Sequence, residues 1–139
     1  MQGRFLGLDM GQRRIGVALS DYTCTLAEGV EVIDRQKNDW RVMLDRLIEL
    51  HSVVAIVIGI PYNMDGSTGA QAKYCQDIAA ELADRYKFQV HLWDERLSSK
   101  AAERLLVLGD MRRKKRKQTS DQAAAAWILQ GFLDAKRRT

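Results

Sequence analysis

Two short apolar blocks open the chain, Phe5-Leu6-Gly7-Leu8 and Ile15-Gly16-Val17-Ala18-Leu19, with Asp9, Gly11 and a basic turn between them. An apolar run that ends in an acid, turns on glycine and resumes predicts a hairpin of strands at about 4–9 and 15–20, with Asp9 at its rim. A third strand at about 28–33 follows a polar loop around Asp21–Thr25 and completes an antiparallel meander. The period then changes. From Asp39 to Leu50, Trp40, Met43, Leu44, Leu47 and Ile48 recur at helical spacing opposite Arg41, Asp45, Arg46 and Glu49, which predicts a helix packed on the sheet. The continuous β-branched run Val53–Ile58 reads as a strand buried on both faces, ending at the chain's one proline, Pro61.

Thr68 and Gln71 have capping-box spacing, so a helix is predicted from there to about Tyr86, with Cys75, Ile78, Ala79, Leu82 and Ala83 inward. Phe88–Trp93 is the next strand and runs into Asp94-Glu95-Arg96, a second acidic point at a strand end. A helix over Lys100–Leu108 is expected after a Leu97-Ser98-Ser99 cap, stopped by Gly109. Thr119 and Gln122 form another box, predicting a final helix over about 120–135 with Asp121 in its first turn. Helices interleaved with strands after an antiparallel start place the chain in the α/β class, and its 139 residues suit one domain, 1–139.

Charge changes this picture in one place. The net charge is +4, but Arg112, Arg113, Lys114, Lys115, Arg116 and Lys117 supply six positive charges in succession, and +4 less six leaves −2 for the rest of the chain. Such a block, read here as a loop before the last helix, gains most from a polyanion that releases counterions on contact, so nucleic acid is the expected partner. No apolar run approaches the length that spans a bilayer and no leader pattern opens the chain, so the expected location is the cytoplasm, with no membrane partner. Cys24 and Cys75 show neither metal-ligand nor disulfide spacing and read as small apolar filler. His51 and His91 lack neighbouring ligand patterns and read as structural.

Three acids remain. Asp9 closes the first strand, Glu95 closes the last, and Asp121 opens the last helix, so a helix-covered sheet could bring them to one edge. A carboxylate ending a central strand must be solvated, paired or bound to metal. Asp121 on its own would also suit the helix dipole. Converging carboxylates beside a basic run fit a divalent cation with oxygen ligands and phosphodiester chemistry.

Leu8-Asp9-Met10-Gly11 with Arg14–Ala18, Gly59–Gly66, Asp94–Ser98 and Ser120–Ala124 resemble the four motifs of the bacterial YqgF (RuvX) family, almost end to end. The resemblance implies an RNase H-like fold with a five-stranded mixed sheet, three antiparallel strands followed by parallel ones, flanked by helices. It implies a nuclease that matures the 5′ end of precursor 16S ribosomal RNA, with the small-subunit precursor as partner, or one that resolves branched DNA. Carried over residue by residue, Asp9, Glu95 and Asp121 are the catalytic and metal-binding acids, holding two Mg²⁺ or Mn²⁺ ions. Asp94 has a less defined place, since strand neighbours point to opposite faces. Arg14, Arg96 and the 112–117 run would position phosphates, and that run is longer and denser than the family leads one to expect. A sugar-kinase-like ATPase shares the D-x-G turn but needs two large lobes. A noncatalytic RNA-binding module on the same fold would carry the acids without turnover.

Overall fold

The computed structural model describes residues 3–97 and 113–137, with side chains described for residues 3–96 and 121–137. Strands β1 (Arg4–Met10), β2 (Arg14–Ser20), β3 (Ala27–Asp34), β4 (Val53–Ile60) and β5 (Gln89–Asp94) form one sheet in the order β3-β2-β1-β4-β5. The β1–β2 and β2–β3 pairings are antiparallel, and β1–β4 and β4–β5 are parallel, which is the mixed sheet expected. Helices α1 (Trp40–Leu50), α2 (Ala70–Tyr86) and α3 (Arg113–Arg137) cover it.

Strand alternation sorts the side chains into two cores. Leu6, Leu8 and Met10 of β1, Ile15, Val17 and Leu19 of β2, and Ile56, Ile58 and Ile60 of β4 pack with α1 and α2. On the opposite face Phe5, Ala18, Ala55 and Val57 meet Ala125, Ile128, Leu129 and Leu133 of α3. β4 lies between β1 and β5 and is buried on both faces along most of its length, as its unbroken apolar run requires. Asp39 caps α1, accepting from the backbone N–H groups of Arg41 and Val42. No helix among the described residues is long and apolar enough to cross a membrane.

Both expected capping boxes are absent. Gly69 stands at the N-cap of α2 without a side-chain cap, and Gln71 instead donates through Nε2 to the carbonyl of Met10 at 2.8 Å. A long-range hydrogen bond has outcompeted the local one. The last helix is already formed at Arg113, well before 120, so Thr119 and Gln122 are interior and the backbone of Arg113–Lys117 is helical rather than a loop. Lys, Arg and Gln are good helix formers and no Gly or Pro interrupts 113–120, so the alanine-rich helix extends backwards through them. Asp121 therefore lies about two turns inside α3 and is no first-turn residue. Arg112 and the predicted Lys100–Leu108 helix with its Ser98-Ser99 cap lie outside the described residues.

Candidate active site

The alternation of β1 that buries Leu6, Leu8 and Met10 against α1 and α2 turns Phe5, Gly7 and Asp9 toward α3. On one side Asp9 is paired with Gly16 of β2. On the other, Leu8 is paired with Ile58 of β4, and Gly59 is the next residue along. Neither glycine has a side chain to raise over the sheet, and both gaps are filled. A Cβ on Gly16 would strike the backbone carbonyl of Asp121, while one on Gly59 would strike Ile128 and lie 2.9 Å from Cγ of Glu95. Helix α3 thus settles onto β2 beside Asp9 and delivers Asp121 from one side, and the turn after β5 delivers Glu95 from the other.

The electrostatics agree with that placement. Burial, reinforced by the Asp121 charge, pushes the Asp9 carboxyl up to about 6. Burial, then the charges of Asp9 and Asp94, pushes Glu95 up to about 7. Asp9 is the group common to both couplings. Oδ2 of Asp121 is buried and makes no hydrogen bond; Nε of Arg14 lies 2.8 Å away as an ion-pair partner, outside hydrogen-bonding geometry. Among the described residues, no three of His, Cys, Asp and Glu are gathered tightly enough to hold a metal ion as they stand. Three like charges resist such gathering, and Arg14 draws on Asp121 from the β2 side.

Asp94 and Glu95 take different parts. The β5 alternation puts Trp93 against Gly131 of α3, and Glu95 reaches the same face at Gly59. Asp94 is held by Arg96, which donates from Nε to Oδ1 at 3.0 Å and from Nη2 to Oδ2 at 2.7 Å, and this holds its carboxyl below the usual range. The third guanidinium nitrogen of Arg96, Nη1, donates to the carbonyls of Asn63 and Met64 at 3.3 Å each, with the ring of Tyr62 beneath. The fork of Arg96 is thereby engaged within the protein, tying the end of β5 to the loop after β4. Arg14 stays 41% exposed on its side chain while it pairs with Asp121. Arg113–Lys117 stand on α3 ahead of Asp121, and their side chains lie outside those described.

Two positioning residues had no signal in the sequence. Gln71 holds the carbonyl of Met10, and Arg35 donates to that of Gly11 at 2.8 Å from between the rings of Trp40 and Tyr74. Together they fix the turn that follows Asp9. The histidines pack elsewhere: His51 ends α1, and His91 stacks on Phe5 and packs at a tilt against Phe132, its burial favouring the neutral ring. Cys75 is buried and Cys24 part-buried, both as free thiols.

The family model for RuvX, described as a Holliday junction resolvase, matches residues 3–135. The chain belongs to the RuvX family. Relatives from Bacillus thuringiensis (strain Al Hakam) and Bacillus anthracis (strain A0248), each named "Putative pre-16S rRNA nuclease", are 46% identical over 136 residues, covering 96% of this chain and 99% of theirs. Membership makes the chain a nuclease. The fold is shared more widely. Thermus thermophilus RuvC in complex with a Holliday junction superposes with a TM-score of 0.57 at 14% identity, covering 97% of this chain and 96% of RuvC. The Fowlpox virus resolvase, also solved with junction DNA, gives 0.60 at 11% identity over 95% and 97% of the two chains. The RNase H-like architecture expected for a RuvX protein is therefore the one observed.

Proposed function

We propose that this RuvX protein is a metal-dependent endonuclease that trims the 5′ end of precursor 16S ribosomal RNA, working as one domain, in the cytoplasm, on the small-subunit precursor. The observation that carries the reading is the placement of Asp9 between two bare glycines, with Asp121 and Glu95 entering through the gaps they leave. A stable core has no use for three coupled carboxylates there, and raised carboxyl pKa values in such a cluster mark functional sites more often than structural ones. The donors are all oxygen, the kind that Mg²⁺ and Mn²⁺ prefer, and Oδ2 of Asp121, which makes no hydrogen bond, would become a ligand on leaving its ion pair with Arg14. Bound there, such ions would supply an activated water and neutralise charge on the leaving oxygen.

The chain's own residues do the rest. Asp9, fixed by the turn that Gln71 and Arg35 hold, is the central ligand; Glu95 and Asp121 flank it. Arg14, half exposed and already beside Asp121, is placed to take a phosphate oxygen when that carboxylate turns to a cation. Arg96, its fork taken up by Asp94 and by the carbonyls of Asn63 and Met64, holds the loop after β4 against the strand end that leads into Glu95. The basic run on α3 would grip the backbone further along, setting register without reading bases.

The RNA substrate rests on the names of the close relatives, and branched DNA is the rival that the family's description raises. The test compares a precursor 16S 5′ leader, a four-way DNA junction and ordinary single strands, each with Mg²⁺ and with EDTA. Cleavage of the leader alone, lost in EDTA, is the expected result. Junction cleavage alone would transfer the activity to DNA, and binding without cleavage of any substrate would leave a noncatalytic module.

A further inference from the structure

Met64 is 91% exposed, against 38–74% for the other exposed large hydrophobic residues among those described. It stands at the tip of the loop that leaves β4, and that loop is closed on itself. The N–H of Asn63 donates to the carbonyl of Ser67 at 2.9 Å, and the N–H of Gly66 to that of Asn63 at 2.8 Å. Ser67 donates from its N–H and its hydroxyl to Oδ1 of Asp65, and Nδ2 of Asn63 donates to the Ser67 hydroxyl. Gly66 accommodates the turn at φ +87°. From beneath, Nη1 of Arg96 holds the carbonyls of Asn63 and of Met64 itself. Arg96 also pairs with Asp94 at the end of β5, and Gly59, near the β4 end from which the loop leaves, lies against Glu95, so the loop springs from the sheet edge that carries the site.

An unpartnered thioether on so firmly tied a turn gains nothing for the fold. Beside a cation and a phosphodiester-cleaving site it has a use, because apolar side chains including Met pry apart stacked bases and bend the strand toward the protein. Methionine is unbranched and polarisable, well suited to slide between aromatic surfaces.

We propose that Met64 is a wedge that enters the base stack next to the scissile phosphate, its loop held rigid by Arg96. The inference rests on the nuclease reading and adds a substrate-distorting residue to it. An exposed tip residue can be replaced without disturbing the core, so its variants are expected to fold.

The test uses the full chain with Asp9→Asn, which keeps the nucleic acid intact. It is bound to the precursor leader and, separately, to the four-way junction, each carrying 2-aminopurine at successive positions around the point that the wild type cuts. 2-Aminopurine brightens when it loses its stacking partner. Binding is followed in parallel by anisotropy. A rise at one base step is expected, lost on Met64→Ala and kept on Met64→Leu, while affinity falls by less than about tenfold because phosphate contacts dominate binding. A rise that survives Met64→Ala, or binding with no rise at any position, overturns the wedge and leaves the nuclease standing. If the wild type neither binds nor cuts either substrate, the nuclease reading fails, and the wedge with it.

Discussion

Asp9 and Glu95 hold their protons more tightly in the folded chain than outside it, moving from ordinary values of 3.8 and 4.5 to about 6 and about 7. The sign of the consequence is fixed by linkage. A carboxyl whose pKa rises on folding stabilises the protonated fold, fully below the unfolded value, and that stability is lost as pH climbs through the folded value. Metal-free wild type is therefore expected to lose stability relative to Asp9→Asn between about pH 4 and 6, and relative to Glu95→Gln between about pH 4.5 and 7, by on the order of 3 kcal/mol each. Urea unfolding in EDTA across pH 4–8 measures this; wild-type and variant curves that stay parallel would contradict it. Asp121→Asn removes a like charge from beside Asp9, so the Asp9 midpoint followed by NMR should fall yet stay above 3.8, since burial is the larger cause. The same variant should lose most of the thermal shift given by Mn²⁺, which for a folded-state ligand at a hundredfold excess over Kd is about 2.7 kcal/mol in wild type. A full shift retained by Asp121→Asn would remove that residue from the site. At this scale the sequence showed the three acids and set Asp9 and Glu95 where strands end, but it put Asp121 in a first helical turn, and the structure has it about two turns inside α3. It could not show Arg14 against Asp121 or the Arg96 clamp that joins Asp94 to the loop after β4, because those arrangements depend on neighbours that only the fold supplies.

Among the elements, the approach of α3 to the sheet is the step that assembles the site, and Gly16 is where it is closest. Gly16→Ala would push a methyl group into the backbone of α3, which cannot give way locally, so destabilisation of about 1–3 kcal/mol and loss of cleavage are expected together. Gly59→Ala meets the end of Ile128 and the Glu95 side chain, which can move, so its stability cost should be smaller while cleavage still suffers. Chemical denaturation with activity assays on both variants separates the cases, and equal stability losses would contradict the assignment. Strand and helix positions were legible because alternation and helical spacing report directly on burial. The helix starts were less so: Thr68–Gln71 and Thr119–Gln122 have the right letters, but Gln71 is drawn to Met10 and 119–122 sits inside a longer helix. The glycines flanking Asp9 were visible as letters, yet their meaning needed the strand register.

For the whole molecule, the uneven charge is the feature that substrate affinity should follow. With six of the positive charges in 112–117 and −2 elsewhere, replacing Arg112, Arg113, Lys114 and Lys115 by Gln should weaken binding and flatten its salt dependence. The slope of log K against log salt should fall by about 0.9 for each duplex phosphate that is no longer neutralised, or by about 0.7 on a single strand. An unchanged slope would make the run a solvated surface. The overall topology was legible from the antiparallel opening and the later strand–helix alternation, whereas the proposed convergence of Asp9, Glu95 and Asp121 depends on crossovers that no local pattern encodes. The most direct test of that convergence is single-turnover cleavage of the precursor 16S 5′ leader in Mg²⁺ by wild type, Asp9→Asn, Glu95→Gln and Asp121→Asn, with circular dichroism to confirm folding. Ligands that act as a unit should each cost nearly the whole rate when removed. Near wild-type cleavage by any one folded variant would contradict the three-acid site.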